Sequence, residues 1–255
     1  MKTNLFLFSI FILVLVCPSF AMMPQKDQLT DQMMKTFVEY RLIKSELLVN
    51  DNIDVTVEDG VITLDGTVLT LRDKRQAEIE VRKVDEDYRI INNLNIVKSN
   101  LSDPDLAQKV TEQLRKNVFY SIFDWVTVSA NNGVVTLKGW AYLGYRQPGG
   151  DVQFVQEVER MPGVLGVKNE IQLTSGDEDL RNTAARLIYS DMRFESYAHN
   201  PDPPIHIVVI NRKVILEGKV QTDSDKLWAE RLLRLNTVVW PEIVIVENNL
   251  IVENQ

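Results

Sequence analysis

The chain has 255 residues, 45% of them hydrophobic and 25% charged, with a net charge of −8 and a single cysteine. That is an ordinary globular composition, long enough for several small domains. It excludes an internal disulfide framework, and its acidity disfavours nucleic acid, whose phosphates it would repel.

The chain opens with Lys2, a 12-residue apolar run from Leu5 to Val16, and Ser19-Phe20-Ala21. Positive start, short apolar stretch and small residues at the last positions predict a signal peptide over residues 1–21, cleaved after Ala21. A run of that length is shorter than the roughly 20 residues that span a bilayer. Cys17 offers an alternative, a lipid-modified anchor, although Val16 before it is larger than such a site wants. Cleavage removes both Lys2 and Cys17, leaving a net charge of −9 and no thiol chemistry.

Beyond the leader, Met34, Phe37, Val38 and Leu42 predict a first helix, and the alternation of Ile53, Val55 and Val57 predicts a strand. Asp59-Gly60 makes the hairpin turn, and Ile62 and Leu64 lie on the return strand. Thr70 and Asp73 fit a capping box at the start of a second helix. A last strand carries Asn92-Asn93-Leu94-Asn95-Ile96, and Lys98 to Ser102 is a linker. The order then recurs. Leu106, Val110, Leu114 and Val118 form a helical stripe behind Asp103-Pro104, and Asn132-Gly133 turns a hairpin. Trp140 to Gly150 is inserted before a helix from about Asp151 to Met161, and Asn169 leads the last strand. After a linker at Thr174 to Gly176, Leu180, Ala184, Leu187 and Ile188 predict a helix. Ile205, Ile207 and Val209 form a strand ending at Asn211-Arg212, a turn without glycine. Thr222 and Asp225 repeat the capping box, with Trp228, Leu232 and Leu235 as core, and Asn248 leads the final ribbon.

These pieces are one unit used three times. The ribbons Gly60 to Gly66, Gly133 to Gly139 and Arg212 to Gly218 end on glycines 73 and 79 residues apart. The predicted fold class is α+β: three tandem αββαβ modules at residues 28–98, 103–174 and 177–253, each a three-stranded mixed sheet packed against two helices. Reached through a helix, the last strand is expected to run parallel to one hairpin strand.

The order of elements, the glycine-bounded ribbon, and Gly139-Trp140, Met161-Pro162-Gly163-Val164, Val167 and Asn169 resemble the BON domain, named for bacterial osmotically inducible and nodulation proteins. The third module departs where Arg212 stands for the opening glycine and Pro241-Glu242 for proline-glycine. The resemblance implies a non-catalytic periplasmic protein that binds phospholipid head groups or supports the envelope under osmotic stress. It marks Gly60, Gly66, Asn92, Gly133, Gly139, Gly163, Asn169, Gly218 and Asn248 as structural positions.

No catalytic constellation is expected. The mature chain has no cysteine nucleophile, no phosphate-binding glycine loop and no serine set between glycines. His199 and His206 flank prolines without ligand spacing, so neither a metal nor another cofactor is predicted. The candidate binding residues are Trp140, Tyr142, Tyr145 and Arg146, which combine amphipathic rings with a cation, and Lys74, Arg75, Arg82 and Lys83 on one helix. The plainer readings are core or interdomain packing for the aromatic segment and for the second cluster of Tyr120, Ile122, Phe123 and Trp125, and a solvated face for the charges. The two partner classes are an anionic phospholipid surface and polypeptides, bound as by a periplasmic chaperone or scaffold.

Overall fold

The computed structural model describes residues 25–47, 51–84, 88–144, 150–235 and 245–253. The expected leader, its cleavage point and Cys17 lie outside the described residues, as do Tyr145, Arg146 and Pro241-Glu242. None of the helices described is long and apolar enough to cross a membrane.

The elements run α1 (Gln25–Lys44), β1 (Asn52–Glu58), β2 (Val61–Val68), α2 (Leu71–Arg82), β3 (Arg89–Asn92) and β4 (Asn95–Ile96). Then come α3 (Asp103–Arg115), β5 (Trp125–Asn131), β6 (Val134–Tyr142), α4 (Gly150–Glu159) and β7 (Gly166–Thr174). The last group is α5 (Glu178–Tyr189), the short α6 (Glu195–Ala198), β8 (Ile205–Ile210), β9 (Lys213–Val220), α7 (Asp223–Leu235), β10 (Ile245–Asn248) and β11 (Ile251–Val252). The fold is α+β with three mixed sheets. In each, the second hairpin strand is central, antiparallel to the first and parallel to the strand that returns through a helix.

Each sheet has its own core. Val38 and Leu42 of α1 meet Ile62, Leu64, Ala77 and Val81 in the first. In the second, Leu106, Val110 and Leu114 of α3 meet Leu137, Phe154 and Val158. The third joins Leu180, Ala184 and Ile188 of α5 to Ile207, Leu216 and Leu233. The cores are linked by shared side chains: Leu71 of α2 is buried in the second core, Ile96 packs against the first and second, and Phe123 packs against the third.

Three helical expectations are corrected. Phe37 points outward from α1, because Met34, Val38 and Leu42 already fill the inner stripe. Val118 lies past the end of α3 and is 89% exposed. Leu235, the last residue of α7, is also exposed, whereas Trp228 and Leu232 pack against the third core. The last strand is continuous in the second sheet but split into β3/β4 and β10/β11 in the others. The turn at Asn211-Arg212 is as tight as the other two, with φ of 50° and 62° at its centre. Arg212 takes the left-handed conformation that glycine holds in the other turns, which costs an L-residue about 1–2 kcal/mol.

Candidate interaction surfaces

The closing glycines and lead asparagines meet the backbone or side chains of their own units. Gly66, Gly139 and Gly218 have φ of +120°, +130° and +111°, and a Cβ on each would fall 2.0–2.1 Å from the carbonyl oxygen of Asn52, Trp125 or Pro204. The lead asparagines fasten the last strand to the second helix. Asn92 and Asn248 donate through Nδ2 to the carbonyls of Lys74 and Lys226, and each Oδ1 accepts from the amide two residues on. Asn169 accepts from Ile171 N–H but reaches Asp151 Oδ2 instead of a carbonyl. That side-chain partner accompanies the continuous β7.

A further repeated contact escaped sequence reasoning. Asp103 and Asp177, at the start of the first helix of their units, and Asp31, in the second turn of α1, accept from the hairpin turn. Their donors are Asp59 N–H (3.2 Å), Asn132 and Gly133 N–H (2.7 and 3.0 Å), and Arg212 N–H (3.2 Å). The available signal was an aspartate 28 to 35 residues ahead of each turn.

The aromatic segment of the second unit lies at its junction with the third. Asp124 is fully buried; its Oδ2 accepts from Ser121 N–H and Oγ, and its Oδ1 from Tyr142 N–H, which ties the 120–124 loop to β6. The Tyr142 ring lies 3.8 Å below the Arg181 guanidinium and edge-on to Phe123 at 5.8 Å. Arg181 is only 1% exposed and donates to the carbonyls of Gly176 (2.6 Å) and Val209 (3.1 Å), bridging linker and third sheet. Trp140 is half-buried opposite Trp125 across the hairpin.

His206 of β8 is buried with its ring 5.1 Å from Trp125 and 5.6 Å from Tyr120. Asp202 receives Arg115 at 3.2 Å and lies 3.9 Å from His206 Nε2. Burial holds the imidazole down at about 4, against the pull of Asp202, and pushes the Tyr120 hydroxyl up to about 12. His199, the other histidine, is exposed with its Nδ1 2.8 Å from the Glu195 carbonyl oxygen. Among the described residues no group of three or more His, Cys, Asp or Glu could hold a metal ion.

On α2 each of the four predicted cations has an internal partner. Lys74 donates to the Leu94 carbonyl, Arg75 pairs with the buried Glu159 of α4, Arg82 binds Glu78 and Lys83 binds Glu80. Arg41 of α1 also binds Glu80, and these bonds, the one from Lys83 first, lower the Glu80 carboxyl below its ordinary value against the effect of burial.

The outward face of α1 has a different character. Met33, Phe37, Tyr40 and Ile43 are each more than half exposed, while the opposite face fills the first core. Apolar residues on both faces of a surface helix exceed what folding requires. This doubling was the sequence signal that a single inner stripe obscured.

The BON domain family model matches residues 31–98 and 182–240, taking in the first sheet and much of the third unit. No curated protein matches the chain. Among solved structures, the C-terminal domain of CdsD, the structural protein of the type III secretion system of Chlamydia trachomatis, aligns at 14% identity over 90% of this chain and 99% of that one, with a TM-score of 0.25. The periplasmic domain of PrgH aligns at 13% identity over 82% of this chain and 99% of that one, with a TM-score of 0.22. Fragment 170–362 of that domain, from S. typhimurium, aligns at 12% identity over 84% and 100%, also at 0.22.

Proposed function

Taking the BON matches in its first and third units as premise, we propose that this is an exported, envelope-associated protein that acts by binding and not by catalysis. In this reading the middle unit, which shares the αββαβ order, the closing glycine and the lead asparagine, is a third BON copy. The protein rests on phospholipid head groups, and the outward stripe of α1 makes the contact.

That stripe is the observation that carries the reading. Met33, Phe37, Tyr40 and Ile43 present apolar and amphipathic side chains to solvent on a helix anchored by its other face, and Lys44 lies exposed at its end. Such a face suits the boundary between head groups and acyl chains, with the tyrosine hydroxyl and lysine ammonium reaching back to the polar layer. The aromatic strand around Trp140 and Tyr142 and the basic face of α2 are the weaker half of the contact, since most of their polar groups already have partners.

Flotation with neutral phosphatidylcholine vesicles and with vesicles containing phosphatidylglycerol, at low and moderate salt, tests this. The chain is expected to float with the anionic vesicles, less so as salt rises, and to lose that behaviour in a Phe37→Ser/Tyr40→Ser variant. A Trp140→Ala variant alongside shows whether the second unit shares the contact. No flotation under any condition, or flotation unaffected by the α1 variant, overturns the reading.

A further inference from the structure

The first and second units meet along α2 and α4, and between these helices runs a groove of about 330 Å³. Its apolar lining is Ile79 of α2 with Val152 and Val155 of α4, where Ile79 and Val152 are each 47% exposed. Arg72 and Arg75 line it from α2, and Arg160 lies at the end of α4. Positions 72, 75 and 79 on one helix and 152, 155 and 159 on the other fall at the three-and-four spacing that places residues along a single face. Two such faces with a channel between them form the seat that a third helix fills when ridges pack into grooves.

The charge of the groove is opposite to that of the molecule. Three guanidinium groups line it against one carboxylate, Glu159, which is buried and paired with Arg75. Arg72 is exposed, and Arg160 keeps 48% of its side chain exposed while Glu157 holds one of its nitrogens at 3.2 Å. A guanidinium has five donors in a planar fork, so Arg160 can receive a second carboxylate without releasing the first. Against a net charge of −8 for the whole chain, this is a local exception.

We infer that the α2–α4 groove binds an acidic amphipathic helix of a polypeptide partner, its apolar residues on Ile79, Val152 and Val155 and its Asp or Glu side chains on Arg72 and Arg160. This is the helix-in-groove mode of recognition. A bilayer fits less well, because a flat surface does not enter a groove between two helices.

The test is selection of displayed helical peptides of about 15 residues, a length at which a helix alone is marginal in water, against the purified chain. The selected peptides are expected to carry Asp or Glu flanking apolar residues at three-and-four spacing. They should bind Arg72→Glu/Arg160→Glu about tenfold or more weakly, with unchanged circular dichroism. They should also slow amide hydrogen exchange in α2 and α4. Selection of basic peptides, failure to select any, or binding indifferent to the charge reversal overturns the inference. So does a result in which the double variant instead loses flotation with anionic vesicles, or dissociates a dimer seen by sedimentation, since those outcomes assign the groove to lipid or to a second copy.

Discussion

At Gly139 one missing carbon lets the second hairpin close. A Cβ there would lie 2.1 Å from the Trp125 carbonyl oxygen at a φ of +130°, so neither the space nor the backbone accommodates a side chain. Gly139→Ala should therefore cost roughly 2–4 kcal/mol, read as a lower urea midpoint for the second unit. The spacing of these glycines was plain in the sequence, and a glycine inside a strand already signals close backbone approach. The turn-binding role of Asp31, Asp103 and Asp177 was not, because each acceptor is joined to its donors only by folding. Arg181 was hidden for a related reason: a polar residue on a helix reads as solvated until a linker carbonyl and a strand carbonyl are brought to it.

Periodicity predicted the elements well where a helix has one buried face and clear ends. Leu106, Val110 and Leu114 are all buried and Pro104 lies in the first turn of α3 as expected, but the cap is Ser102, which accepts from Asp105 N–H, and Asp103, the expected cap, is the first helical residue. The pattern failed at its margins. Val118 keeps the spacing, but α3 ends at Arg115, and Phe37 keeps it on a helix that also carries apolar residues on its outward face. Among the contacts between elements, Asp103 is the most informative to remove, since one carboxylate receives two turn amides. Asp103→Ala is expected to destabilise the second unit by about 1–2 kcal/mol and Asp103→Asn by less, measured by chemical denaturation.

Across the whole molecule the three mixed sheets were legible as a count, but the way they join was not. The same rings that could have served as an exposed aromatic surface turn out, in Phe123, Trp125 and Tyr142, to pack at the second junction. Strand alternation alone cannot tell solvent from a neighbouring domain. That junction has a pH signature. Burial lowers His206 from 6.5 unfolded to about 4 folded, so the folded chain binds fewer protons between those values. Stability from the neutral imidazole is complete above pH 6.5 and is lost as pH falls through that window, by about 3 kcal/mol at most. Asp202, Arg115, Tyr120 and Asp124 face this histidine from the surrounding loops and α3. Glu217, its cross-strand neighbour, has its carboxyl raised chiefly by burial and works in the opposite sense. Urea midpoints measured from pH 7.5 to 4 for the native chain and for His206→Gln isolate the histidine's share, and a matching slope in the two would remove it from the account.

Ile207 N–H donates to the Ile122 carbonyl at 2.7 Å, which places the 120–124 loop along the outer side of β8. That strand reads Ile-His-Ile-Val-Val-Ile, uncharged at neutral pH and rich in β-branched residues, and its other side is taken by β9. Left open, such an edge is a template on which further chains add strand by strand. The loop of the second unit thus serves as a guard against fibril-like growth. A third unit separated from its neighbour would fold with the segment most prone to self-association uncovered.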